Sequence, residues 1–250
     1  MDTIKKQIFI SAILLVGLLI GNQAKGQAIK ILSFTGKAET INVLPDYDRE
    51  VLTIATLKDT LHIEGCTKVD EAIALNKSFV KIVYQVRGGS GIHLRHMLIL
   101  TSKNNKLCQS LHITSLFNEE YIDFNKKPVS SKPDKSSRYE VKVNFLNMDY
   151  HKMTASIYKE EKSKDRPQND YNKESTITLT FDTIKNIFYS SNMDVSQHFT
   201  IFDPKTQQES KQYLMGTFPM IQLGSYSYYY IKGEWYEKGH NDDLSKYAYK

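Results

Sequence analysis

The stretch FVKIVYQVR-GGSGI-HLRHMLILTS-KNN-KLCQSLHIT, residues 79–114, decides the fold. Apolar residues recur every second position, the period of a strand with one buried face. Val80, Ile82, Tyr84 and Val86 share one side of Phe79–Arg87, while Lys81, Gln85 and Arg87 share the other with Val83. Leu94, Leu98 and Leu100 share a face in the second segment, as do Leu107, Leu111 and Ile113 in the third. The breaks, Gly88–Gly91 and Lys103–Asn105, are turn-forming, because Gly and Asn tolerate positive φ. The segment therefore predicts a three-stranded antiparallel meander.

The pattern extends in both directions. Arg138–Leu146, Met153–Tyr158, Ser175–Phe181, His198–Phe202 and Tyr226–Glu237 alternate in the same way, the last turning at Lys232-Gly233. Phe181-Asp182 and Phe202-Asp203 read as hairpin corners opened by Asp rather than as catalytic acids. Towards the N-terminus, Ile29–Phe34, Val51–Leu57 and Leu61–Glu64 read as strands, and Asp70–Leu75 as a turn of helix. Asn125–Ser137 and Glu160–Lys173 read as loops, the first a possible boundary between halves. The expected fold is all-β with minor helix, an antiparallel meander of successive hairpins forming a sandwich, a barrel or a propeller-like sheet.

Ahead of this region, Lys5 and Lys6 precede the apolar run Ile8–Ile20, and Ala24-Lys25-Gly26 follows. A basic start, a short apolar run and an Ala-x-Gly site make up a secretory signal peptide, with cleavage expected before Gln27. The run is shorter than the roughly 20 residues that span a bilayer. One β-rich domain, 27–250, and a periplasmic or secreted location follow as expectations, with no transmembrane segment after cleavage. The chain carries 33 basic and 28 acidic residues, net +5. The excess is spread out, without the basic stripe that nucleic acid requires.

Two cysteines, Cys66 and Cys108, in an oxidising compartment suggest a disulfide. Their spacing is not that of a metal site. Arg87 and Ser90 flank the Gly-rich turn, where an exposed loop can touch a ligand. The turn leads into a strand, so neither a phosphate loop nor a nucleophile elbow is read there. His93 and His96 point to opposite faces of one strand, which opposes a shared metal. No cofactor is implied. Tyrosines concentrate in the C-terminal hairpin, where Tyr226, Tyr228 and Tyr230 share a face near Trp235. Such rings form either a binding platform or a cross-strand core. The expected function is therefore a non-catalytic binding protein of the cell envelope or exterior, with a glycan or protein ligand. A secreted hydrolase of envelope or extracellular polymers is the alternative. A lipocalin-like carrier of a small apolar ligand is the second.

Overall fold

The computed structural model describes residues 26–34, 36–125, 132–146, 149–203 and 206–238. The segment expected to be a signal peptide, apart from Gly26, lies outside them. Apart from one 3₁₀ turn at Pro167–Asn169, the regular structure among the described residues is β throughout. Strands β1 (Gln27–Leu32), β2 (Ala38–Asp46), β3 (Val51–Ala55) and β4 (Thr60–Glu64) form a first sheet. An eight-stranded sheet follows: β5 (Cys66–Ala74), β6 (Val80–Val86), β7 (Ile92–Lys103), β8 (Lys106–Tyr121), β9 (Lys135–Leu146), β10 (Asp149–Ser163), β11 (Tyr171–Asp182) and β12 (Ile187–Tyr189). A third contains β13 (Ser191–Asp203), β14 (Gln208–Leu223), β15 (Tyr226–Ile231) and β16 (Glu234–Glu237). Within each sheet every strand pairs antiparallel with its neighbour in sequence, as hairpin order predicts.

Turn chemistry sets the registers. Asn104 and Asn105 both take positive φ, 57° and 60°, between β7 and β8. Lys232 and Gly233 do the same at 50° and 99° between β15 and β16. Two successive positive φ values match the twist of the flanking strands, and Asn and Gly reach them at least cost. Asp182 accepts the backbone N–H groups of Ile184 and Lys185, which makes it the corner that the Phe-Asp pattern predicts.

The layers are held by two apolar clusters that meet at β7. Leu98 and Leu100 pack with Val80, Ile82 and Tyr84 against Ile41, Leu52 and Ile54 of the first sheet. Met97 and Ile99 point the other way, since successive strand residues face opposite sides. They pack with Leu111, Ile113 and Val141 against Ile221, Leu223, Tyr228 and Trp235 of the third sheet. Phe79 centres an aromatic knot in the second cluster, 5.2 Å from both Phe181 and Phe188 between ring centroids. The large sheet is thus covered on opposite faces by two smaller ones, a sandwich. It does not close into a barrel, because β5 and β12 remain its edges. Cover on both faces removes the need to roll up around a core.

Several local expectations change. Asp70–Ala74 is strand, part of β5, where paired β6 overrides the short helical pattern. Glu160–Lys173 is half strand: β10 runs on to Ser163 and β11 begins at Tyr171, the two paired as far as Glu161 and Tyr171. Ala38–Asp46 adds a strand that the sequence reading passed over. Part of Asn125–Ser137 lies outside the described residues, but β8 and β9 on either side of it pair directly.

The Cys66–Cys108 disulfide is corrected: both cysteines are free. Cys66 pairs with Val86, which faces Leu94 on β7, whereas Cys108 faces Thr101 on β7. Seven residues along a strand separate those positions by about 24 Å, far beyond the roughly 7 Å Cα limit for a bridge. Burial pushes the Cys66 thiol up to about 11, so it behaves as an unreactive core group.

Candidate functional site

The C-terminal hairpin directs much of its aromatic face inwards. Tyr228 is 3% exposed, and its hydroxyl accepts the Thr114 N–H at 3.0 Å. Trp235 is 8% exposed and donates Nε1–H to the Gln109 carbonyl at 3.0 Å. These bonds let the polar ends of large rings enter the core satisfied. Tyr226 and Tyr230 are half-buried; Tyr226 packs on Tyr139, with centroids 4.4 Å apart. Tyr139 in turn donates to the Leu223 carbonyl at 3.1 Å.

The Gly-rich turn is used for close approach. Gly91 has φ +76°, and a Cβ there would collide with the Glu120 carbonyl. Its own carbonyl accepts the Glu120 N–H at 2.9 Å. Ser90 is exposed at the tip, and Arg87 is exposed and ion-paired to Glu50. The turn thereby docks β7 against the end of β8, and Val86 and Ile92, the residues that flank it, line a cleft.

That cleft, about 470 Å³, is the polar site that sequence reasoning missed. Two cross-strand rows line it. Lys68, Gln85, Arg95 and Leu116 lie directly opposite one another on β5, β6, β7 and β8. His93, Asn118 and Arg138 form the second row on β7, β8 and β9. Asp70 is its acidic hub: its carboxylate accepts Gln85 Nε2–H at 2.9 and 3.0 Å and lies 3.1 Å from Lys68 Nζ and 3.8 Å from Arg95 Nη1.

Arg138 is also a wall of a second cleft, about 450 Å³, lined by Glu140, Lys142, Ser156, Tyr158, Glu174 and Thr176 on β9, β10 and β11. Arg138 donates to Glu140 at 2.7 Å, and Lys142 approaches the same carboxylate at 3.4 Å. Burial pushes the Glu140 carboxyl up, but the Arg138 hydrogen bond and the two cations outweigh it and hold it below the ordinary glutamate value. Together the clefts make a polar trough across seven strands, about 29 Å at the usual strand spacing. Such partly exposed ion pairs contribute about 0–1 kcal/mol each. A ligand oxygen can therefore displace a partner at little cost in stability. The signal for the trough was present in sequence only as the polar positions of each strand; which of them align depends on ladder registers shifted by bulges between Arg95 and His96 and beside Lys68.

His96 and His112, separated in sequence, are brought together, with ring centroids 5.8 Å apart, beside Tyr84. No cluster of three or more His, Cys, Asp or Glu positioned to hold a metal occurs among the described residues. No helix among them is long and apolar enough to cross a membrane. In comparisons with known proteins, the chain matches no family model, no curated protein and no solved structure.

Proposed function

We propose that this chain is an exported, non-catalytic binding protein of the cell envelope or exterior, and that it holds a glycan in the trough across the large sheet. The observation that carries this reading is the pair of clefts sharing Arg138, lined by carboxamides, hydroxyls and mutually paired charges. Sugar hydroxyls both donate and accept, so they suit a surface offering Gln85 and Asn118 amides beside the Arg95 and Arg138 guanidiniums and the Tyr158 hydroxyl. Asp70, the carboxylate of the first cleft, is tied to three donors. Glycoside hydrolysis takes two carboxyl groups facing each other across a cleft, and Asp70 is the single acidic side chain among the described residues that line this one. That favours binding over hydrolysis. Export rests on the Lys5–Gln27 pattern, and intact mass of protein recovered from outside the cytoplasm should correspond to a chain starting at Gln27.

Affinity electrophoresis of the mature protein through gels containing soluble envelope or extracellular polysaccharides tests the binding role. Retardation by at least one polysaccharide is expected. Arg138→Ala and Asn118→Ala should each weaken it about tenfold, the size of a lost hydrogen bond involving a charged or well-placed polar group, with melting temperature unchanged. Retardation that survives both substitutions, or no retardation by any polysaccharide, would refute the assignment to the trough.

A further inference from the structure

A sheet edge exposes a row of unpaired N–H and C=O groups, and proteins blunt it with short strands, lysine, proline or bulges. Five of the six sheet edges among the described residues follow that rule. β4, β12 and β16 have five, three and four residues. β1 has six and carries Lys30. β5 carries Lys68 and is broken by two register shifts. The sixth, β13, does not. It is thirteen residues long, SNMDVSQHFTIFD, with no lysine, arginine or proline. Its ladder to β14 runs from Ser191 to Asp203 without a shift, and no described strand pairs with its outer edge. Residues 191–194 are exposed.

From this we infer that β13 is a dimerisation edge, and that its partner is the β13 edge of a second copy of this chain, paired antiparallel about a two-fold axis at Gln197. The sequence is self-complementary in that register. Val195 falls opposite Phe199 of the second copy, Met193 opposite Ile201, Asp194 opposite Thr200 and Ser196 opposite His198. Apolar meets apolar and polar meets polar at these four pairs and at Ser191 opposite Asp203; Asn192 opposite Phe202 is the one mismatch, and all thirteen residues are used. A shift of one residue would set Met193 against Thr200 and Asp194 against Phe199, because strand faces alternate with period two. The pairing joins two four-stranded sheets into one of eight and closes the assembly with both long edges consumed.

Gln197 is the discriminating position, since it meets its own copy. Sedimentation of the mature protein is expected to show a concentration-dependent dimer. Gln197→Lys places like charges opposite each other and should weaken the dimer about fivefold. Mixing Gln197→Lys with Gln197→Glu chains should restore association as a heterodimer. Gln197→Cys should give a disulfide-linked dimer on oxidation, because facing Cα atoms about 4.5–5.5 Å apart lie within bonding range. Ser191→Cys, at the far end of the register from its own copy, should not. A wild-type protein that stays monomeric at every soluble concentration overturns the inference. So does a dimer that Gln197→Lys leaves intact and Gln197→Cys fails to lock.

Discussion

At Tyr84 the phenol oxygen lies 2.7 Å from Nε2 of His112, and His96 stacks on the same ring with centroids 5.6 Å apart. Burial, and secondarily the neighbouring His96, push the His112 imidazole down to about 3. An unfolded histidine titrates near 6.5. As pH falls, the unfolded chain therefore takes up a proton that the folded one refuses. Stability from this residue is complete above about pH 6.5 and declines as pH drops towards 3, by about 2 kcal/mol at pH 5. Urea unfolding between those two pH values should show that loss, and His112→Gln, which keeps a hydrogen-bonding partner for Tyr84, should flatten it. An unchanged slope in the variant would assign the acid sensitivity elsewhere. From the sequence, the meander put His112 within reach of His96 or His93 without choosing between them. Odd spacing correctly separated His93 from His96, but the meeting of His96 with His112 needed the bulge that sets His96 opposite Thr114 and Leu98 opposite His112.

For the strands, the period-two reading worked best where one face is clearly less buried than the other. β6 and β9 fall close to where alternation put them, and the Asn104-Asn105 and Lys232-Gly233 turns lie where turn residues interrupt it. It fell short at β7. There Leu98 and Leu100 were assigned a shared inner face, yet Met97, Leu98, Ile99 and Leu100 are all at most 4% exposed. Four consecutive apolar residues mark a strand buried on both sides, a pattern usual for sheets covered twice. Both faces should then be equally intolerant. Leu98→Ala and Ile99→Ala are each expected to cost about 2–5 kcal/mol by denaturant titration, the range for truncating a buried aliphatic side chain. A near-neutral result at either position would mean that one layer does not press on β7. The missed β2 has a related cause: Pro45 and flanking polar residues obscure an alternation of Glu39, Ile41 and Val43 that burial makes plain.

The two apolar clusters share a strand, and that couples the layers of the whole molecule. Met97 and Ile99 serve the third sheet while Leu98 and Leu100 serve the first, so neither cluster can dissolve without unseating residues of the other. The chain carries a reporter in each. Trp235, the only tryptophan, sits in the cluster with the third sheet, and Cys66, fully buried, sits in the cluster with the first. In a Cys108→Ser background, the remaining thiol reports on the first sheet alone, with no disulfide to mask it. Trp235 fluorescence and Cys66 reactivity should then follow a single urea transition with coincident midpoints, the signature of two-state unfolding. The alternative is a hierarchy in which the small first sheet opens as a separate cooperative unit. It would appear as Cys66 reacting at urea concentrations where Trp235 fluorescence is still native. Coincidence is favoured because the first sheet's inner residues Ile41, Leu52 and Ile54 have no exposed surface and lie against the same β6 and β7 that support the other face. Peeling it off would expose Val80, Ile82, Leu98 and Leu100 together. At about 1.5–3 kcal/mol for each aliphatic side chain returned to water, that cost is comparable with the 5–15 kcal/mol that stabilises a whole domain.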